Sequence, residues 1–445
     1  MCFKSNLLFK SVYFLLLTIT LAGELTPDAF IEKVLAANLQ IADTRLQFDE
    51  LNARRNQLKS GWLPSLSYSL NSSQSRQGPR DVFVGSVPIS QPATTYEYHS
   101  TSLSLTQQLF DYGNSLRKMR SVGYNRDVIR SEYVQNCRDL IIRAQEVFYR
   151  LAEAEEIRRL YEEELTEVKQ QLRQVTDLVR KGVRPPMDRL RMDVRLNEIK
   201  SGIKSQEMEI NRWKYDLAYL MKTPVDTGYT LQLSGIKMDS WTGEVPGKIP
   251  ETDPILSKIQ NQVRMEETEL AVLQWDRLPD VYLNVGYLRG SSLFDALYQN
   301  FERDWNLNYS LRLSFPLFQN HRTKLKETQK RIRIERLKLQ LNDEKRRLEK
   351  EYQNLVNQIR IDTERMELLI NNISNQESIY RYERERYNSG LTEYREMTEA
   401  NKTVLQSKQA LISLKLRLFQ NQDKLKVLSG KWDRVIVAYL DKLPD

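Results

Sequence analysis

Residues that could support catalysis or metal binding are scarce in this chain or dispersed along charged segments. The 445 residues include two histidines, His99 and His321, and two cysteines, Cys2 and Cys137. The 59 acidic residues are interleaved with 67 basic ones, a pattern that i,i+4 pairing on solvated helix faces explains. No phosphate-binding glycine loop, nucleophile motif or metal-ligand cluster occurs in the sequence. We therefore predict no catalytic residue, no metal site and no cofactor, and the chain is not expected to be an enzyme.

The first 23 residues have the pattern of a secretory signal peptide. Lys4 and Lys10 precede an apolar run that ends at Ala22, a suitable small residue for cleavage. The run is short for a membrane anchor, so export is the preferred interpretation. Glu24 stands where a lipoprotein would carry its lipidated cysteine, so no amino-terminal lipid anchor is expected.

The cysteine count and the net charge exclude two further interpretations. Cys2 would be lost with the signal peptide, which leaves Cys137 without a disulfide partner, and we interpret Cys137 as a small buried side chain. The formal charge of +8 could indicate nucleic acid, but the charges of both signs are interspersed rather than gathered in a basic block. No nucleic-acid partner is predicted.

The elements that must position any functional residue occur twice, about 208 residues apart. Five residues of the first copy recur in the second: Leu103, Leu105, Leu109, Phe110 and Gly182 correspond to Leu311, Leu313, Leu317, Phe318 and Gly390. Each copy consists of two alternating strands, a very long helix, a glycine turn and a returning helix. Such a long repeat indicates a duplicated architecture rather than a solenoid.

The strand segments alternate between apolar and polar residues, as in a strand with one apolar face. Leu66, Tyr68 and Leu70 alternate with serines, and the segment from Trp305 to Phe315 continues the pattern over about ten residues, the length that crosses a bilayer at a tilt. An ordinary soluble sheet with one buried face remains the alternative on these strands alone. A polar loop is expected from about Ser72 to Glu97.

The helical segments are exceptionally long. The segment 114–181 contains no proline and only Gly123, and 317–389 contains neither proline nor glycine. At 1.5 Å per residue each would extend about 100 Å, and their apolar residues follow the heptad spacing of packed coiled coils. Gly182 and Gly390 are expected to end these helices in left-handed caps.

The expected fold class is mostly α with a small membrane β part. The predicted boundaries are a signal peptide at 1–23, a first structural repeat at 24–222 (strands about 63–72 and 99–109, helical hairpin 114–222), a linker at 223–254, a second structural repeat at 255–428 (strands about 280–288 and 305–318, helical hairpin 320–428) and a C-terminal tail at 429–445. A continuous helical pattern covers about 27–59. Four strands cannot close a barrel, so strands that enter a membrane must be shared among several chains.

In this order and spacing the elements resemble the TolC-like outer-membrane efflux protein family over essentially the whole mature chain. The matching local features are Leu63-Pro64 and Leu278-Pro279 before strands, Gln108 to Asp111 and Pro316 to Phe318 at strand ends, the turns at Gly182 and Gly390, and Ala400, Val404, Ala410 and Leu414 on the returning helix. The resemblance implies long antiparallel coiled-coil helices that form an α-barrel, continuous with a trimeric 12-stranded β-barrel to which each chain contributes four strands.

The resemblance also implies a function and partners. The homotrimer would be a passive channel-tunnel in the cell outer membrane, with its helices in the periplasm. It would serve a tripartite efflux or type I secretion system, recruited by a periplasmic adaptor and an inner-membrane transporter. An exported coiled-coil structural or tethering protein without a pore remains the alternative, although it leaves the four amphipathic strands unexplained.

By the same resemblance, function concentrates at the hairpin tips. Asp188 and Tyr387 occupy the places of an aspartate and a tyrosine that bond to each other and hold the periplasmic entrance gate shut, and Thr392 stands where the family has a gating arginine. The alternative role of Asp188 is to favour the start of its helix through the dipole. The residues expected at the tips and in contact with the adaptor are Gly182, Val183, Arg184, Gly390 and Leu391.

Overall fold

The computed structural model describes residues 26–85, 87–224, 252–299, 304–315 and 322–441. The predicted signal peptide, most of the predicted linker at 223–254 and the strand-end residues Leu317 and Phe318 lie outside these ranges. Within them the chain is mainly helical with a small antiparallel sheet, as the sequence predicts for the fold class.

Two helices of equal length dominate the structure, and each is followed by a returning helix. Helix α3 (Asn114–Arg180) and helix α6 (Arg322–Asn388) have 67 residues each. Helix α4 (Pro186–Met221) follows α3, and helix α7 (Tyr394–Leu428) follows α6. The helices are long because no proline and almost no glycine interrupts them.

The same cap ends both long helices. Gly182 has φ +72° and Gly390 has φ +83°, a left-handed conformation that favours glycine. The amide of Val183 donates to the carbonyl of Leu178 at 2.9 Å, and the amide of Leu391 donates to the carbonyl of Arg386 at 2.9 Å. These are the 6→1 bonds of a Schellman motif, so each hairpin turns at a predicted glycine.

Four strands form one antiparallel sheet in the order β1-β4-β5-β6. The strands are β1 (Ser65–Gln77), β4 (Thr94–Phe110), β5 (Asp280–Ser291) and β6 (Trp305–Ser314). Strands β1 and β6 are the two edges, and each neighbouring pair is antiparallel. The sheet therefore joins the first pair of strands to the second along the β4–β5 contact.

The register places apolar side chains on one face of the sheet and hydroxyl or amide side chains on the other. Tyr68, Leu103, Tyr287 and Leu307 are paired across the four strands, and Leu66, Leu105, Val285 and Tyr309 form the next row on the same face. Many of these side chains are exposed, with Leu311 and Tyr309 at 68% each. The opposite face includes Leu288 but is otherwise mainly formed by these residues: Ser65, Ser67, Ser69, Asn71, Ser100, Ser102, Ser104, Thr106, Asn284, Asn306, Asn308 and Ser310.

The polar loop predicted from Ser72 to Glu97 is wrong. Pairing of β1 with β4 continues from Ser72↔His99 to Gln77↔Thr94, and strands β2 (Arg80–Val84) and β3 (Val87–Gln91) form a separate two-stranded ribbon between them. Serine and threonine are compatible with exposed strands when cross-strand hydrogen bonds are available. In this stretch the Ser73 hydroxyl donates across the strands to the carbonyl of Tyr98 at 3.3 Å.

Two further helix boundaries differ from expectation. The helical pattern at 27–59 is divided into α1 (Pro27–Ala36) and α2 (Gln40–Ser60), because the Asn38 side chain accepts a bond from the Gln40 amide at 2.9 Å and starts the second helix. The predicted C-terminal tail contains helix α8 (Asp433–Asp441). The remaining helix, α5, spans Pro254–Trp275, and a short 3₁₀ helix lies at Asp295–Tyr298.

The chain forms two compact units. The hairpin unit comprises the described parts of 1–42, 133–254 and 345–445, and the sheet unit comprises 43–132 and 255–344. The hairpin unit has its own apolar clusters, one around Phe30, Phe148 and Leu217 and one around Met192 and Tyr387. In the described parts of the chain, no helix combines the length and the apolar character needed to cross a membrane.

Substitution by alanine is expected to have opposite effects on stability at the cap glycine, Gly182, and at the helix glycine, Gly123. An added Cβ meets no atom within 4 Å at either Gly182 or Gly123, so only backbone conformation decides the effect. We expect Gly182→Ala to destabilise the protein by about 1–2 kcal/mol, the cost of a left-handed alanine. We expect Gly123→Ala, inside α3, to stabilise it by about 0.5–1 kcal/mol. Thermal unfolding followed by circular dichroism tests both, and shifts of the same sign would contradict this account.

Cys137 is fully buried at 0% exposure, as the sequence interpretation proposed. Burial raises the pKa of its thiol to about 11, so little thiolate forms near pH 8, about the ordinary pKa of cysteine. We expect iodoacetamide to leave the native protein unmodified and to alkylate it after unfolding in denaturant. Mass spectrometry should find one alkylated thiol per chain if Cys2 has been removed. Rapid alkylation of the folded protein would exclude this burial.

Candidate functional site

The two hairpin tips lie together in the hairpin unit, and a buried hydrogen bond links them. The Tyr387 hydroxyl, one residue before the end of α6, donates to Asp188 Oδ2 in the first turn of α4 at 3.0 Å. Tyr387 is 2% exposed and Asp188 is 5% exposed. Of the predicted gate residues, the structure thus brings these two into direct contact, because both lie close to the caps that end α3 and α6.

Tyr387 is enclosed from several sides. The Arg184 guanidinium lies 4.1 Å from the centre of the Tyr387 ring, and the Tyr394 ring packs against it with a centroid distance of 5.9 Å. Burial, followed by the bond to the Asp188 carboxylate, raises the pKa of the Tyr387 phenol above its ordinary value. The phenol therefore remains a protonated donor at neutral pH, and a charge-assisted bond to a carboxylate is among the stronger hydrogen bonds in proteins.

Arg184 and Thr392 have contacts that sequence reasoning did not identify. The Arg184 guanidinium, which is predicted to lie at the adaptor contact, stacks on Tyr387 within the chain. Thr392 is 8% exposed and its hydroxyl bonds to the carboxylate of Glu396 at the start of α7. Among the described residues, no hydrogen bond joins Thr392 to Asp188 or Tyr387. Thr392 consequently secures the start of α7 and does not take the place of an arginine at the tip contact.

A second polar contact lies one heptad before Tyr387 on α6. The Tyr380 hydroxyl donates to Glu167 Oε1 of α3 at 2.8 Å and accepts from Gln171 Nε2 at 2.7 Å. Arg384 approaches the same carboxylate at 3.4 Å. Sequence reasoning missed this cluster, although the seven-residue interval between Tyr380 and Tyr387 was a usable signal for a repeated contact on one helix face.

A third contact attaches α7 to the first hairpin. Asn401 Nδ2 of α7 donates to Glu164 Oε1 at 2.6 Å, and Arg195 of α4 lies 3.6 Å from the same carboxylate. Glu164 is 8% exposed. Burial raises the pKa of Glu164, and the nearby Arg195 opposes that shift. Polar bonds at three levels therefore join the two hairpins.

The turns themselves present apolar side chains to solvent. Val183 is 63% exposed and Leu391 is 71% exposed, each directly after a cap glycine. The two turns therefore expose an apolar side chain at equivalent positions. In the residues that the structure covers, no cluster of three or more His, Cys, Asp or Glu side chains is suited to hold a metal ion.

Comparison with known proteins agrees with this architecture. The sequence profile of the outer membrane efflux protein family matches residues 30–198 and 245–431. No curated protein sequence matches the chain. Among solved structures, the channel CusC superposes with a TM-score of 0.77 at 15% identity, over 91% of this chain and 92% of CusC.

Two further outer membrane proteins have the same fold. The outer membrane protein VceC from Vibrio cholerae has a TM-score of 0.72 at 15% identity, over 91% of this chain and 96% of VceC. The CmeC outer membrane channel from Campylobacter jejuni has a TM-score of 0.74 at 12% identity, over 94% of this chain and 90% of CmeC. At these identities the similarity establishes the fold, and it extends over nearly all of each chain.

Proposed function

The chain belongs to the outer membrane efflux protein family, as its resemblance to the TolC-like proteins predicted, and from this premise we propose that it is the outer-membrane exit duct of a tripartite efflux or type I secretion system. In this role it is a passive channel-tunnel. An inner-membrane transporter supplies the energy, and a periplasmic adaptor joins the two. Family membership assigns the chain to outer-membrane channels rather than to enzymes.

The observation that supports a shared pore best is the four-stranded sheet with two open edges. Strands β1 and β6 each have one side without a partner strand in the described chain, and unpaired backbone groups in lipid cost several kcal/mol each. Three copies joined β1 to β6 would form a closed sheet of twelve strands. The exposed apolar face then meets lipid, and the hydroxyl and amide face lines the pore.

The helices continue the duct. Each 67-residue helix extends about 100 Å at 1.5 Å per residue. Three chains would contribute twelve helices to a wall around one axis. Heptad-spaced apolar residues pack neighbouring helices, and charged residues face water. A tethering coiled coil would use such helices too, but it has no use for a sheet that exposes Leu311 and Tyr309.

In the proposed duct the bond between Tyr387 and Asp188 closes the periplasmic entrance. The bond joins α6 to α4 near both turns, so separating the hairpins requires that it break. The partly buried contact at Glu167 and the buried contact at Glu164 then resist separation farther from the tips. An adaptor or pump that opens the entrance would have to break these contacts one after another.

The exposed tip residue Leu391 provides the test of adaptor binding. It is 71% exposed and makes the tip apolar, so we expect Leu391→Asp to weaken chemical crosslinking of the duct to a periplasmic adaptor, without change in oligomer mass. Asn388→Asp, an exposed substitution at the end of α6, is the matched control. Equal loss of crosslinks in both variants would indicate a general effect of charge, and unchanged crosslinks would remove Leu391 from the contact.

The duct itself is tested by mass and conductance. Light scattering of the detergent-extracted mature chain, corrected for bound detergent, should give a trimer, and the same material should insert ion-conducting pores into planar bilayers. A soluble, elongated dimer without pores would instead establish the tethering protein. A monomer would exclude the shared sheet, and with it the export function.

A further inference from the structure

A large cavity lies within the sheet unit, between helices α2, α3, α5 and α6. Its volume is about 550 Å³, within the range of about 300–1,000 Å³ that is typical of small-molecule sites. All of its lining residues belong to the sheet unit. No part of the proposed pore closure or adaptor contact uses it.

The cavity has an excess of positive charge. Its lining includes Arg54, Lys118, Lys326, Lys330 and Arg333. Lys330 is neutralised by Glu266 at 2.6 Å and Glu269 at 2.5 Å, and Arg333 also binds Glu266 at 2.8 Å. Glu269 accepts a further bond from Ser121. The carboxylates near the cavity are therefore already occupied by cations of α6.

Three cations remain without such a partner. Arg54, Lys118 and Lys326 lie within 4 Å of no carboxylate in the part of the chain that the structure describes, and all three are exposed residues of the cavity lining. The charge of Lys118 also acts over a longer distance on the carboxyl groups of Asp111 and Asp280. Several like charges around one concave space repel one another, and an anion placed among them relieves that repulsion while gaining charged hydrogen bonds.

The rest of the lining is apolar. Leu58, Val122, Met265, Val272 and Leu273 contribute to the wall, and of these Leu58, Met265 and Leu273 are partly exposed. A simple inorganic anion would leave these side chains in contact with water. A ligand that also has a compact apolar body would displace that water and gain hydrophobic free energy.

The two halves of the chain contribute equivalent positions to the cavity. Lys118 and Lys326 are 208 positions apart, as are the strand-end residues Leu109 and Leu317. Leu58 and Leu273 are 215 positions apart, as are Leu63 and Leu278. The lysine pair and the leucine pair therefore recur together. This arrangement places one cation and one apolar residue from each half around a single space.

We propose that this cavity binds amphipathic organic anions, with a compact apolar body against Leu58, Met265 and Leu273 and a carboxylate or sulfonate among Arg54, Lys118 and Lys326. Such a ligand matches both the charge excess and the apolar wall. The interpretation of the ligand as exported cargo rests on the proposed duct function, whereas binding at the cavity does not.

The test measures binding of 2-naphthoate to the mature protein in phosphatidylcholine nanodiscs by equilibrium dialysis, with empty nanodiscs as the blank. The matched neutral probe is 2-acetylnaphthalene. We expect saturable binding of the anion, with weaker binding at higher salt. The double variant Lys118→Gln/Lys326→Gln should weaken naphthoate binding about tenfold or more, a loss for which one hydrogen bond to a charged group is sufficient.

The control variant Arg120→Gln/Arg331→Gln removes two exposed cations from the same two helices outside the cavity. It should bind naphthoate as the unchanged protein does. Equal binding of the anion and the neutral probe to the unchanged protein would overturn the proposal, even if the lysine variant failed to fold. Equal affinity in the lysine variant and the control variant would overturn it as well.

The failure of this proposal is distinguishable from the failure of the duct. Lysine-dependent naphthoate binding by a protein that forms no pore would retain the cavity site and exclude the export function. Pores without saturable naphthoate binding would retain the duct and exclude the site.

Discussion

Tyr387→Phe is expected to convert the reconstituted protein from a low-conductance to a high-conductance state in planar bilayers. The substitution removes only the hydroxyl that donates to Asp188 and retains the ring that packs against Arg184 and Tyr394. Asp188, at 5% exposure, then loses its tyrosine donor while it stays buried. Separation of the hairpins would rehydrate the carboxylate, so the change favours the open entrance.

The magnitude follows from the cost of the lost bond. A hydrogen bond to a charged group contributes about 1.5–3 kcal/mol, which corresponds to a shift of about 10- to 150-fold in the closed-to-open ratio. If the closed state predominates by less than this, the variant conducts almost continuously. The contacts of Tyr380 with Glu167 and of Asn401 with Glu164 remain in the variant, and removing the Tyr380 hydroxyl as well should increase the open fraction further.

Tyr382→Phe is the matched control, since Tyr382 lies on the same helix but is 60% exposed. The tyrosine hydroxyl that bonds Asp188 is that of Tyr387, so removing the Tyr382 hydroxyl should leave conductance unchanged. A double-mutant cycle with Asp188→Asn should show strong non-additivity if Tyr387 and Asp188 act through one bond. Conductance that is the same in Tyr387→Phe and in the unchanged protein would remove this bond from the closing mechanism.

The sequence predicted the parts of this site that depend on local rules. Gly182 and Gly390 identify the turns because left-handed caps favour glycine, and the resemblance then placed Asp188 and Tyr387 on either side of one contact. The orientation of Arg184 toward Tyr387 was not predictable, because a charged residue at an exposed turn is ordinarily solvated. Its position depends on how α4 and α6 pack, which no local pattern specifies.

The sheet illustrates the same limit. Alternation identified its strands and its apolar face, since side chains of a strand point to opposite sides in turn. The extension of β1 and β4 beyond Ser72 and His99 was missed because serine and threonine are typical of loops as well as of exposed strands. Only cross-strand pairing distinguishes the two cases, and the bond from the Ser73 hydroxyl to the Tyr98 carbonyl is an example that depends on register.

The most consequential contact that sequence reasoning missed is formed by Arg138. This residue is 2% exposed, and it donates to Asp253 Oδ2 at 2.6 Å and to Asp433 Oδ1 and Oδ2 at 2.8 and 2.6 Å. Its partners lie 115 and 295 positions away in the chain. A lone arginine on a charged helix gives no signal of such distant carboxylates, so this cluster becomes visible only in the folded protein.

Arg138→Met is expected to destabilise the protein more than Gly182→Ala does. The side chain of Asp253 is 2% exposed, so the variant would remove a guanidinium that lies 2.6 Å from a buried carboxylate. Breaking a buried ion pair from one side costs about 3–5 kcal/mol. Two carboxylates would also face each other in place of a shared guanidinium, which adds repulsion. The cost should appear as faster irreversible unfolding in detergent, measured as loss of helical circular dichroism at a fixed temperature.

Arg150→Met separates this effect from the general loss of an arginine on α3. Arg150 is paired with Glu153 at 3.1 Å, but its side chain is 51% exposed, and exposed pairs of this kind contribute about 0–1 kcal/mol. Its unfolding rate should therefore change little. Arg138→Lys should restore only part of the loss, because an ammonium cannot reproduce the bidentate geometry that the guanidinium makes with Asp433. Equal unfolding rates for Arg138→Met and Arg150→Met would mean that water or rearranged neighbours compensate the charge of Asp253. They would also mean that attachment of α8 to α3 does not depend on the ion pair between Arg138 and Asp433.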